Sequence, residues 1–128
     1  MEIKEQVKQI LKNDAPEIPS DLIDSFEWKE EILNIDDLEI DKQMWLSHAN
    51  SPVHKKRHAS IRKALKQKVK LPPIITMHHN LWVVDGYARL AVYLKQNKNK
   101  VKAWVGKDPN KETKYQNNPE KLNNLRAK

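Results

Sequence analysis

Apolar positions along this chain alternate between a helical and a strand period, and the switches divide it into elements. Ile3, Val7, Ile10 and Leu11 recur at the spacing of one helix face. They predict an amphipathic helix over residues 2–12, stopped by Asn13, Asp14 and Pro16. Ser20 is placed to cap a short second helix carrying Leu22, Ile23 and Phe26. Trp28, Ile32, Leu33 and Ile35 predict a strand over residues 28–35, leading into a turn at Asp36-Asp37-Leu38. Trp45 and Leu46 read as an apolar anchor ahead of the next helix. Ser51-Pro52 opens that helix with a capping hydroxyl and a first-turn proline. Val53, Arg57, Ile61, Ala64, Leu65 and Val69 then share one side, with Arg57 interrupting the apolar stripe.

Pro72-Pro73 ends this helix. Residues 73–77 and 81–85 are short β-branched runs around His78-His79-Asn80, which predicts a hairpin with a three-residue loop. After Gly86, the residues Tyr87, Leu90, Ala91 and Leu94 return to helical spacing. Val101, Ala103 and Val105 alternate with Lys102 and Trp104, as in a half-buried strand. Beyond Gly106 the chain is polar apart from Tyr115, Leu122 and Leu125. It reads as a loose tail with a marginal helix near 119–127. The expected class is α+β: a small mixed sheet with flanking helices, preceded by N-terminal helices and followed by a polar tail.

Charge sharpens this division. The net charge is +7, but residues 1–41 hold four Lys against thirteen Asp and Glu, and residues 42–105 hold fourteen Lys and Arg against one acid. The expected segments are an acidic helical and strand segment (1–41), a core (42–106) and a polar tail (107–128). So one-sided a basic block attracts polyanions and releases their counterions, although a solvated Lys-rich surface is the plainer alternative. Lys55, Lys56, Arg57, Arg62, Lys63 and Lys66 crowd the middle helix and are the candidate nucleic-acid contacts. The acidic segment has three open roles. It folds back on the basic block, keeps the chain off indiscriminate DNA, or engages a basic protein partner. The absence of cysteine excludes disulfides, thiolate zinc sites and thiol chemistry. No apolar run has membrane-spanning length, and the N-terminus carries both charges, unlike a signal peptide. A cytoplasmic protein without a membrane partner is expected.

The single acid of the basic block, Asp85, lies in the segment with the clearest chemistry. Asp85 ends a strand, Gly86 bends the chain and Tyr87 opens a helix whose first amides lack intrahelical acceptors. Glycine lets an anion approach the backbone, and Arg89 in the first turn adds a guanidinium. Asp85, Gly86, Tyr87, Ala88 and Arg89 are therefore the candidate phosphate- or nucleotide-binding residues. Asp85 reads first as a helix cap. The plain alternative for Arg89 is a side chain tied to a backbone carbonyl. His54 and His58 have metal-binding spacing, but Lys55, Lys56 and Arg57 between them would repel a cation, so no metal site is expected. His78-His79 reads as an exposed loop tip. A carboxylate able to act as a base or hold Mg²⁺ beside Asp85 has to come from the N-terminal third, where Glu30, Glu31, Asp36 and Asp37 are candidates. Trp82 and Trp104 either stack a base or pack in the core. No residue is assigned a catalytic role.

The order of these pieces resembles the ParB/sulfiredoxin domain family. The matching residues are Leu71-Pro72-Pro73-Ile74-Ile75, Trp82-Val83-Val84-Asp85-Gly86-Tyr87-Ala88-Arg89-Leu90, and Val101 to Val105, within a span of about 51–105. Family members hold nucleotide phosphates at the corresponding loop. Some use a nucleoside triphosphate as a clamp switch, some transfer phosphate and some are nucleases. The resemblance implies a nucleotide or nucleic acid as partner and a nucleoside triphosphate with Mg²⁺ as cofactor. Two departures matter. Ala88 stands where the pattern often has His or Arg, and the cysteine that sulfiredoxin activity needs is missing. Nor do 128 residues accommodate the DNA-reading domain and dimerisation tail of a ParB clamp. The expected function is a ParB-like nucleic-acid- or nucleotide-binding protein rather than an enzyme. The alternatives are a nucleotide-dependent phosphotransferase or nuclease, or a small protein–protein regulator from a mobile element. On this reading Arg89→Ala weakens phosphate binding and leaves the fold intact.

Overall fold

The computed structural model describes residues 2–50, 52–114 and 119–122. Its elements are α1 (Ile3–Asp14), α2 (Ser20–Ser25), β1 (Glu27–Asn34), β2 (Glu39–Asp41), α3 (Lys42–Asn50), α4 (Pro52–Lys66), β3 (Ile74–Met77), β4 (Trp82–Asp85), α5 (Tyr87–Lys95), β5 (Lys100–Lys107) and β6 (Pro119–Lys121). The class is α+β, with one six-stranded mixed sheet in the order β1-β5-β3-β4-β2-β6. The β5–β3 and β4–β2 pairs are parallel, and the other three pairs are antiparallel.

Helices cover both faces of the sheet. On one face Tyr87 and Leu90 of α5 pack with Ile74, Val83, Val101, Ala103 and Val105. On the other, Val7, Leu11 and Ala15 together with Ile23 and Phe26 pack against Ile75, Met77 and Trp104. Successive residues of a strand point to opposite faces, so a strand covered on both sides buries every residue. This is why all four residues of β3 are buried. In β5, Val101, Lys102 and Ala103 alternate as expected, whereas Trp104 departs from the pattern because it is buried in the second core. The tryptophans at 82 and 104 are both core residues, and Trp104 Nε1 donates to Glu30.

α1 runs through Asp14, past its expected stop, because the steric block acts at Ala15, the residue before Pro16. α2 is capped by Pro19, with Ser20 as its first helical residue and no side-chain cap. Residues 42–50, expected only as an anchor, form α3; Trp45 packs against the core, but Leu46 is exposed. The proposed cap Ser51 lies outside the described residues. On α4, Ile61, Ala64 and Leu65 are half-buried as expected, Val69 lies beyond the helix end, and His58 is an unexpected buried member.

The β3–β4 loop spans residues 78–81, one residue longer than expected, with His78 and Leu81 in the left-handed region. Its histidines are half-buried rather than exposed. His78 Nδ1 lies 2.9 Å from Thr113 Oγ1, and the Thr113 amide donates to His79 Nδ1. The tail is not loose at 119–121, which pairs with β2 as a strand, and Leu122 after it is helical and fully buried. Tyr115 and residues 123–127 lie outside the described residues.

Segments set apart by charge share this sheet. The acidic stretch contributes β1, β2 and the α1–α2 layer. It folds back by strand pairing and apolar packing. Among the described residues, the ion pairs of α1 and β2 run to Asp24 and Lys121, not to α4.

Candidate functional site

The corner between β4 and α5 needs glycine. Gly86 has φ of +111°, and a Cβ there would lie 2.5 Å from Ile74 Cγ2 and 3.2 Å from Arg89 Nη2. Gly86 is the helix cap, with no side-chain capping bond, and its carbonyl accepts from the Leu90 amide at 2.9 Å. Asp85 therefore does not cap α5. Its carboxylate accepts from Arg89 Nη2 at 2.8 Å, and both side chains are only about an eighth exposed. Arg89 Nη1 also donates to the carbonyls of Pro72 and Pro73. Arg89 thus lies over the corner but acts as a clasp, tying α5 to β4 and to the Pro72-Pro73 bend. Tyr87 and Ala88 are buried, and Tyr87 Oη accepts from the Asp41 amide at 2.9 Å.

A cleft of about 550 Å³ opens at this corner. Asp85, Gly86, Tyr87, Ala88 and Arg89 form one wall. The end of α1 contributes Asn13 and Asp14, α3 contributes Met44 and His48, and α4 contributes Arg57 and Ile61. Among the described residues no hydrogen bond or ion pair engages the exposed Arg57 guanidinium, which lines the cleft. The structure divides the six basic residues of α4, all of them exposed. Arg57 joins the cleft, whereas Arg62, Lys63 and Lys66 border a separate groove with Gln96 and Lys98.

The carboxylate that joins Asp85 is Asp14. None of the candidates Glu30, Glu31, Asp36 and Asp37 lines the cleft. Burial is the main force pushing the Asp85 carboxyl above its usual range. Arg89 opposes it, the hydrogen bond and charge of Asp14 add to it, and Arg57 opposes weakly. His48 stacks on His54 with ring centroids 4.0 Å apart, and its Nδ1 is buried without a hydrogen-bond partner. Burial lowers its pKa from 6.5 to about 4, with further lowering from His54, Arg57 and His58. Burial also lowers the pKa of His58, whose Nε2 is buried and unpaired. Among the described residues no three His, Cys, Asp or Glu are grouped to hold a metal ion.

Asp14 and His48 were missed from sequence for different reasons. Asp14 did leave a signal: an acid at a helix C-terminus opposes the helix dipole. His48 left none, because α3 itself had no periodic pattern to reveal it.

No family profile and no curated protein matches this sequence. Solved structures do match it. One crystal form of the Pnob8-like ParB-N domain aligns with 64% of this chain at 23% identity and a TM-score of 0.50. The pNOB8-like ParB N-domain aligns with 64% at 22% identity and the same TM-score. The chain has the fold of a ParB N-domain. The match covers only 31% and 28% of the length of those chains. At this identity the ParB-like likeness establishes the fold alone. Among the described residues, no helix of this ParB-like fold is long and apolar enough to cross a membrane.

Proposed function

We propose that the protein binds a phosphate-bearing ligand, a nucleotide or a nucleic-acid backbone, in the cleft at Gly86. The observation that carries this is the open Arg57 guanidinium beside a positive-φ glycine and the first turn of α5. First-turn amides and a mobile guanidinium are the elements of an anion site. Arg57 takes the ligand-facing role expected of Arg89, which is committed to Asp85 and the proline carbonyls. The cleft volume falls within the range of small-molecule sites. A nucleoside triphosphate would bring its Mg²⁺ on its own phosphates, since the cleft offers two carboxyl groups and, among the described residues, no metal-binding cluster. Nucleic acid would extend along the outer cations of α4, namely Lys55, Lys56, Arg62, Lys63 and Lys66.

A second reading, nucleotide-dependent phosphoryl transfer or nuclease action, draws on one observation. Asp14, Asp85 and His48 line the same cleft, so acid–base groups surround the proposed phosphate. Binding is tested by titrating pyrophosphate and nucleoside triphosphates, with and without Mg²⁺, while following the melting temperature. Wild type should be stabilised and Arg57→Ala should bind about tenfold more weakly. A wild-type protein unmoved by millimolar ligand would sink the proposal. Catalysis requires product from a nucleoside triphosphate or DNA that disappears in Arg57→Ala.

A further inference from the structure

The cleft is not a simple basic site. Arg57 and Arg89 line it with two guanidinium groups, and Asp14 and Asp85 with two carboxyl groups. Asp85 is already paired with Arg89. Asp14 is left lining the same space as the open guanidinium of Arg57.

The helix that carries Asp14 gives its carboxylate no support. Asp14 ends α1, where the carbonyl end of the helix dipole disfavours an acid. It also shares a hydrogen bond with a second carboxyl group, Asp85. Meanwhile its neighbours Leu11 and Ala15 are buried against the sheet, so the helix end is held in place. An acid held against the helix dipole and beside a second carboxyl group points to a role at the site.

We propose that Asp14 is the specificity-determining residue of this cleft, a fixed counter-charge that opposes bare phosphate dianions and polyanions at Arg57. This rests on the phosphate-binding reading above and refines it. Asp14 lines the same cleft as Arg57, so an incoming anion meets a carboxyl group as well as the guanidinium. A ligand then enters with compensation, either a proton on the carboxyl pair or a cation carried on its phosphates. The ionisable groups lining this cleft with Asp14 are Asp85 from β4, Arg89 from α5, Arg57 from α4 and His48 from α3, and the cavity adjoining it adds Glu17, Asp41 from β2 and His78. The His48 imidazole stays neutral near pH 7, so it does not offset Asp14 there.

The test is titration of pyrophosphate without metal at pH 7.5, comparing wild type, Asp14→Asn and Asp21→Asn. Both variants remove one carboxylate from exposed positions of the α1–α2 region, but Asp21 lines neither this cleft nor the cavity adjoining it. Asp14→Asn should tighten binding about tenfold or more, the scale of one charge removed at contact distance in a partly screened site. Asp21→Asn should change it less than about twofold, since an exposed charge outside the cleft is screened. Equal or weaker binding by Asp14→Asn overturns the counter-charge role and leaves phosphate binding standing. An equal gain in Asp21→Asn also overturns it, because bulk charge would then explain the effect. If no protein binds pyrophosphate, the phosphate reading and the counter-charge fall together.

Discussion

At residue 86 a single glycine sets the turn from β4 into α5. The Asp-Gly-x-x-Arg pattern predicted a corner, and the corner is there, because a side chain at residue 86 would collide with Ile74 and hold a positive φ. Gly86→Ala should therefore destabilise the fold by about 2–4 kcal/mol, measured by chemical denaturation. The use of Arg89 was not legible. Whether a guanidinium faces a ligand or a carbonyl depends on where Pro72 and Pro73 lie, and only the folded chain brings them there. Arg89→Ala leaves a buried carboxylate without its partner and should cost about 3 kcal/mol. This replaces the expectation of an intact fold. Arg89→Lys should rescue little, since one ammonium cannot reproduce a forked set of donors.

At the scale of elements, the least legible pieces were α3 and β6. Both are held by partners distant in sequence. α3 has a weak apolar pattern but sets Trp45 against the core, and β6 pairs with β2 while Leu122 fills the interior. Leu122→Ala should cost about 2–5 kcal/mol, as a cavity-forming change in a packed core does. A loss below about 0.5 kcal/mol by denaturant titration would mean that the tail contributes nothing. The α3–α4 pair also carries an acid sensitivity. His48 is depressed to about 4, so the unfolded chain takes up its proton first. Its stabilisation is complete above about pH 6.5 and lost as the pH falls towards 4. His58 and His78 are also lowered and add in the same direction. Asp85, raised by burial, acts oppositely: its contribution is present at low pH and lost as the pH rises through its folded pKa. Melting temperature should drop between pH 6.5 and 4.5, and His48→Phe should flatten that slope.

Over the whole molecule, the two charge fields share one sheet. Acidic β1 lies at one edge, and basic α4 lies over the α5 face. If nucleic acid binds the α4 side, affinity falls with salt. Removing Arg62, Lys63 and Lys66 together should lessen the log–log slope on duplex DNA by about 2–3 units. A slope unchanged by that triple substitution, measured from 50 to 200 mM salt, would place the DNA contacts elsewhere.

Local geometry was legible from residue order: the amphipathic faces of α1 and α5, the β3–β4 hairpin and the glycine corner. Periodicity and steric exclusion act between near neighbours, so these features need no distant information. Tertiary structure alone decided which charged groups meet. It brought Asp14 to Asp85, tied Arg89 to the proline bend and left Arg57 open, because a side chain's electrostatic partner is set by the packing of remote elements.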